Sequence, residues 1–174
     1  MVRHGYMVYS WGDQAYRGNI MSACKPWFSH FLFKAVEEGR IPSLDQKVSV
    51  WEPRLNNINA DLGHKDRDIT WRHLANQTSC YGVKDKPGAA FNYNDYQMAL
   101  FWDRLFLKVY GATYDTVDAK VLHSQLTDIL QCQDNPTFMI KGTRREMGQK
   151  RVFGCAILPF SLGTGFHFWL PALD

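Results

Sequence analysis

Ser22-Ala23-Cys24-Lys25-Pro26-Trp27-Phe28-Ser29-His30-Phe31-Leu32-Phe33-Lys34-Ala35-Val36-Glu37-Glu38-Gly39 is the stretch on which the reading of this chain turns. Trp27, Phe28, Phe31, Leu32, Ala35 and Val36 recur at helical spacing, and Gly39 supplies a stop. A helix is therefore predicted over residues 26–38. Pro26 has no amide hydrogen, so it is tolerated only in a first turn, where that donor would lack an intrahelical partner anyway. The helix must then begin between Ser22 and Lys25. That places Ser22 at a helix N-terminus.

Outward from this helix the pattern changes several times. His4-Gly5 reads as a tight turn, followed by a strand over residues 6–11. Only Met1, Val2 and Arg3 precede the turn, a poor arm for a hairpin, so an incomplete sheet is expected. Residues 40–68 read as loop, with Pro42, Pro53, Asn56, Asn57 and Asn59. A short helix over 69–75 is opened by Thr70, and a Gly- and Pro-rich connection fills 76–92. A second long helix is predicted over 96–110, burying Met98, Ala99, Trp102, Leu105, Phe106 and Val109, with Gly111 after it. A third runs over 115–130 and carries Val117, Val121, Leu122, Leu126, Ile129 and Leu130. The apolar tail 152–170 is split by Ser161-Leu162-Gly163-Thr164-Gly165 and reads as a hairpin of two short strands.

Composition narrows the function classes. The 174 residues fit one domain with a real core, and 45% apolar against 21% charged residues is globular composition. A net charge of +3 does not argue for nucleic acid as a partner. The one basic cluster, Lys141, Arg144, Arg145, Lys150 and Arg151, has no interleaved aromatics and reads as a solvated loop. Cys24, Cys80, Cys132 and Cys155 form no C-x-x-C pair, and no His stands at ligand spacing from them, so neither a metal nor another cofactor is expected. No signal peptide is visible after Met1, the compartment is left unassigned, and no apolar run is long enough for a membrane span.

Chemistry concentrates in Ser22-Ala23-Cys24-Lys25. Residues three apart at a helix start share a face, so the Lys25 amine can approach the Ser22 hydroxyl. A free serine is a weak nucleophile and needs such a neighbour. Helix N-terminal N–H groups add positive potential beside the reacting oxygen. On this motif alone the commoner reading is a helix cap followed by a surface lysine. Tyr93, likewise, reads on its own as a core tyrosine with a satisfied hydroxyl.

Further motifs follow in order. They are Glu37-Glu38-Gly39-Arg40-Ile41 with Ser43-Leu44-Asp45, then Ile69-Thr70-Trp71-Arg72-His73-Leu74 with Gln77-Thr78-Ser79, then Pro87-Gly88-Ala89-Ala90-Phe91-Asn92-Tyr93-Asn94-Asp95. With S-x-x-K they resemble the serine β-lactamase and penicillin-binding-protein superfamily: class C β-lactamases, D-alanyl-D-alanine carboxypeptidases and related esterases. The resemblance covers roughly residues 2–140. It implies an α+β fold, a helical lobe beside an antiparallel sheet, here incomplete. It implies Ser22 as nucleophile, Lys25 and Tyr93 sharing the proton transfer, the Ser22 backbone N–H as half of an oxyanion hole, and position 95 facing substrate. The substrate class would be small esters, β-lactams or D-Ala-type amides.

Several positions depart from the pattern. Asp95 stands where the family's Y-x-N has Asn, and a carboxylate near Lys25 would favour the ammonium form. Cys80 replaces the Gly of T-S-G, and Cys24 reads as a small core residue. The third motif, K-T-G or a relative, has Gly163-Thr164-Gly165 as its one candidate, without the preceding Lys or His. The expectation is a single, partial domain over 1–174 with an unassigned tail at 141–174. A bare helical face and sheet edge would drive homo-oligomerisation, with the aromatic tail as contact. The alternative is a non-catalytic remnant or binding module of the same superfamily.

Overall fold

Pro26 stands in the first turn of a helix, as its missing amide hydrogen demands. In this computed structural model, which describes residues 1–12, 21–132, 136–141, 151–156 and 169–170, that helix is α1, Lys25–Glu37. A 3-10 turn, Met21–Cys24, leads into it, with Cys24 already in right-handed helical geometry. At the far end Gly39 adopts φ +70°, the Gly39 N–H bonds the Val36 carbonyl, and the Arg40 N–H bonds the Ala35 carbonyl. This left-handed cap satisfies two carbonyls that the helix leaves open, at a position where a Cβ would be strained.

Helix α2, Trp71–Ala75, starts at Thr70: the Thr70 hydroxyl accepts the His73 N–H, and His73 Nδ1 accepts the Thr70 N–H. Helix α3, Asp95–Trp102, starts at Asn94 and continues as a π-helical stretch, Asp103–Val109. The single helix expected over 96–110 therefore changes winding at Asp103. The helix expected over 115–130 is π-helical from Asp118 to Thr127. Residues 40–68, expected to be loop, contain short 3-10 turns at Val48–Val50, Pro53–Asn56, Ala60–Leu62 and Lys65–Asp68. Asn59 and His64 adopt positive φ and interrupt any longer helix.

The strands are few and short. β1 (Val2–Arg3) and β2 (Tyr6–Met7) pair antiparallel around His4 and Gly5, both at positive φ. The strand expected over 6–11 stops at Met7 because β1 offers only two residues to pair with. β3 (Thr137–Lys141), β4 (Arg151–Ala156) and β5 (Trp169–Leu170) form an antiparallel sheet in that order. Phe138 lies opposite Cys155, and Arg151 opposite Leu170. The tail hairpin is thus represented by β4 and β5, whereas β3 was not foreseen. The Gly163-Thr164-Gly165 segment and basic residues Arg144, Arg145 and Lys150 lie outside the described residues. The architecture is α+β in the coarse sense, helices dominating and strands few. Among the described residues no helix is long and apolar enough to cross a membrane.

Aromatic packing ties the elements together. Phe28 of α1 meets Phe101 edge-on at 5.9 Å and Phe106 edge-on at 5.8 Å. Phe106 also contacts Phe31 at 5.5 Å, Trp102 at 5.2 Å and Phe138 of β3 at 5.1 Å. The buried Tyr110 hydroxyl donates to the Phe31 carbonyl at 2.7 Å. Cys24 is buried, as its reading as a small core residue requires. Phe106→Ala is expected to destabilise the protein by about 3–5 kcal/mol, the cost of emptying a fully buried aromatic site. Phe33→Ala, on the exposed side of α1, should stay within about 0.5 kcal/mol of the parent. Urea unfolding monitored by circular dichroism measures both.

Candidate active site

The 3-10 turn before α1 presents Ser22, and the first residue of α1 presents Lys25. Lys25 Nζ lies 2.7 Å from Ser22 Oγ. Tyr93, 68 residues further along, closes a triangle: Lys25 Nζ donates to its hydroxyl at 2.7 Å. The Tyr93 hydroxyl lies 2.6 Å from Ser22 Oγ. Ser22 and Lys25 are half-buried, while Tyr93 is 49% exposed. A tyrosine with a mere core role would be covered; this one reaches solvent with its hydroxyl on a serine and a lysine. Each edge is short enough for a proton to cross.

Tyr93 is aimed by the segment between α2 and α3. That segment crosses itself: the Gly88 N–H bonds the Thr78 carbonyl at 2.7 Å, and the Asn92 N–H bonds the Gln77 carbonyl at 2.9 Å. Gln77 and Cys80, along with Gly82 and Gly88, adopt positive φ, which turns the chain back on itself. Asn94 then caps α3, its Oδ1 accepting the Gln97 N–H at 2.9 Å and its Nδ2 donating to the Tyr81 carbonyl at 3.2 Å. Gln97 is fully buried. Its Oε1 accepts the Ser79 hydroxyl at 2.7 Å, and its Nε2 donates to the Asn92 carbonyl.

A buried ion pair supports the outer turn of the same segment. Lys65 Nζ lies 2.6 Å from Asp66 Oδ1 and donates to the Cys80 carbonyl at 2.9 Å. Asn59 Nδ2 bonds the other Asp66 oxygen. Neighbouring Tyr81 is a different kind of tyrosine from Tyr93: burial first, then the Asp66 charge, push its phenol up to about 12, so it stays protonated.

Two sequence expectations meet the geometry differently. Ser22, Lys25 and Tyr93 come together in one cluster. Asp95 is the first residue of α3, half-buried, and among the described residues it forms no ion pair with Lys25, whose partners are the two hydroxyls. Residues that sequence reasoning missed are Ser79, Gln97, Lys65 and Asp66. Asn94-x-x-Gln97 is a helix-start pattern and could have signalled the cap, but nothing in the sequence joins Gln97 to Ser79. The backbone of β4 runs beside the Met21–Cys24 turn. Its sequence, Arg151-Val152-Phe153-Gly154-Cys155-Ala156, holds no K-T-G. Among the described residues no group of His, Cys, Asp and Glu is placed to hold a metal.

No family model, curated protein or solved structure matches the chain.

The triangle makes a direct prediction about Ser22. Lys25→Ala and Tyr93→Phe should each slow labelling of Ser22 by a fluorophosphonate probe on the order of 10²–10⁴-fold, the usual contribution of a placed proton-transfer group. Intact-mass spectrometry over time reads the labelling rate, and an unchanged rate in Tyr93→Phe would return Tyr93 to a packing role.

Proposed function

We propose that the protein is a serine hydrolase that forms an acyl-enzyme at Ser22, acting on small esters, β-lactams or D-Ala-type amides. The observation that carries this reading is the closed Ser22–Lys25–Tyr93 triangle, assembled from residues 22, 25 and 93 at hydrogen-bond distance. Serine needs a proton-transfer partner, and here the Lys25 amine and the Tyr93 hydroxyl both lie at hydrogen-bond distance from its oxygen. Ser22 Oγ attacks the acyl carbonyl while its proton passes to the Lys25–Tyr93 pair. The tetrahedral oxyanion is held by the Ser22 backbone N–H; β4, whose backbone runs beside the Met21–Cys24 turn, is the proposed source of a second N–H. The pair returns the proton to the leaving alcohol or amine as its bond to the carbonyl breaks. Water then attacks the acyl-enzyme, gives up its proton to the same pair, and releases the acid with Ser22 restored.

The order of the motifs, from S-x-x-K through Tyr93-Asn94-Asp95, supports a β-lactamase-like helical lobe with an incomplete sheet. Asp95, two residues beyond Tyr93, is proposed to face the substrate. The second reading is a non-catalytic remnant or binding module. It is favoured by β4, which occupies the place beside the serine turn without a K-T-G sequence. We also propose self-association, because Tyr6, Met7, Val8, Tyr9 and Trp11 all present exposed apolar surface near the N-terminus. The side chains of the aromatic tail lie outside the described residues.

Incubation with a β-lactam and, separately, with a short p-nitrophenyl ester should give the mass of one acyl adduct per chain, absent in Ser22→Ala. A parent protein that gains no adduct from either, while remaining folded, would favour the binding-module reading. Light scattering at micromolar concentration should show a dimer or larger, and a monodisperse monomer would rule out self-association.

A further inference from the structure

Gln97 is a fully buried side chain that bridges both ends of the segment carrying Tyr93. Its carboxamide oxygen takes the Ser79 hydroxyl, near the start of the segment, at 2.7 Å. Its carboxamide nitrogen gives a hydrogen to the carbonyl of Asn92, which belongs to the peptide unit that opens Tyr93. Its own backbone N–H is held by the Asn94 cap at 2.9 Å. Gln97 therefore grips the residues immediately before and after Tyr93, from a position 0% exposed in the first turns of α3. The Tyr93 ring itself is 49% exposed, with Lys25 Nζ 4.9 Å from its centroid.

We infer that Gln97 is a positioning residue for Tyr93: its Nε2–Asn92 hydrogen bond sets the orientation of the Tyr93 peptide and so delivers the phenol to Ser22 and Lys25. This rests on the hydrolase reading for its consequence in rate, but not for its consequence in geometry. A helix is rigid on the scale of a loop, so anchoring the peptide of Tyr93 to a buried side chain of α3 transfers that rigidity to the phenol. A misplacement of about 1 Å at a reacting group can cost on the order of 10²-fold in rate. The Ser79 end holds Gln97 itself in register, since an amide with both groups engaged has a single rotamer and a single flip state.

Three variants separate positioning from packing. Gln97→Glu keeps an acceptor for Ser79 at nearly unchanged volume and, in its carboxylate form, loses the donor to Asn92. Gln97→Met loses both ends. Ser79→Ala loses only the far end. In the full chain, Ser22 acylation by the p-nitrophenyl ester should slow by about 10²-fold in Gln97→Glu and Gln97→Met. Ser79→Ala, which frees the far end of Gln97 but keeps its Nε2 donor to Asn92, should slow it by less than Gln97→Glu does. In a Tyr93→Phe background Gln97→Glu should cause no further loss, because the group it positions is gone. The same fold-loss in both backgrounds, or a parent-like rate in folded Gln97→Glu, would overturn the inference. If Gln97→Met fails to fold, Gln97→Glu decides. If the parent is not acylated at all, the hydrolase reading falls and the geometric claim is read separately by NMR of ¹³C-tyrosine-labelled protein. The signal missing from Tyr93→Phe should move in Gln97→Glu, and a stationary signal would overturn the inference there too.

Discussion

Phe28 packs edge-on against both Phe101 and Phe106, and this contact sets the distance between the two halves of the site. Phe28 lies three residues beyond Lys25 on α1, and Phe101 lies eight beyond Tyr93 on α3. Without the ring contacts, nothing covalent or local relates the start of one helix to the start of the other. Each buried ring is worth about 1.5–3 kcal/mol by burial, with about 0.5–1.5 kcal/mol more per well-oriented aromatic pair. A hydrogen bond of the Ser22–Lys25–Tyr93 triangle nets on the order of 1 kcal/mol and is half exposed to water. The magnitudes decide the direction of cause: the core holds the triangle in place, and the triangle does not hold the core.

Much of that core was legible because its signal is periodic. Phe28, Phe31, Leu32 and Ala35 recur at helical spacing, and all are buried on α1. Pro26 confined the start of the helix to Ser22–Lys25, and α1 begins at the last of these, since only a first turn can accept proline. The winding of 103–109 and 118–127 was not legible, because the buried apolar residues Leu105, Phe106, Val109, Val121 and Leu122 fit α-helical spacing as well. The 3-10 turns of residues 48–68 were missed for the opposite reason. Segments of three or four residues have no period to detect, and their partners, such as the Asp66 carboxylate for Asn59, are set by tertiary contact.

Within the site the division is similar. Ser22 and Lys25 are three apart, so their approach follows from helix geometry alone. Tyr93 joins them across 71 residues, and only the motif order pointed to it. Of the polar scaffold behind Tyr93, only the Asn94-x-x-Gln97 helix start left a pattern. Ser79, Gln97 and Asn92 are ordinary residue types, and their significance lies in burial. A buried amide left unpaired costs about 1–3 kcal/mol, so satisfaction at both ends constrains the loop tightly. The Lys65–Asp66 pair belongs to the same class: adjacent charges read as surface, yet both are buried and clasp the Cys80 turn.

Asp95 shows how one position answers to two demands. Residue 94 caps α3 through its Oδ1, and residue 95 is the first residue inside the helix. A carboxylate in a first turn gains about 0.3–1 kcal/mol from the helix dipole, a stabilisation that a neutral asparagine there does not receive. Lys25, meanwhile, spends its donors on Ser22 and Tyr93. The carboxylate at 95 is therefore balanced by the helix rather than by the lysine, and it leaves Lys25 free to serve the two hydroxyls. On this account the departure from Y-x-N at residue 95 changes the charge at the start of α3 while leaving the contacts of Lys25 with Ser22 and Tyr93 intact.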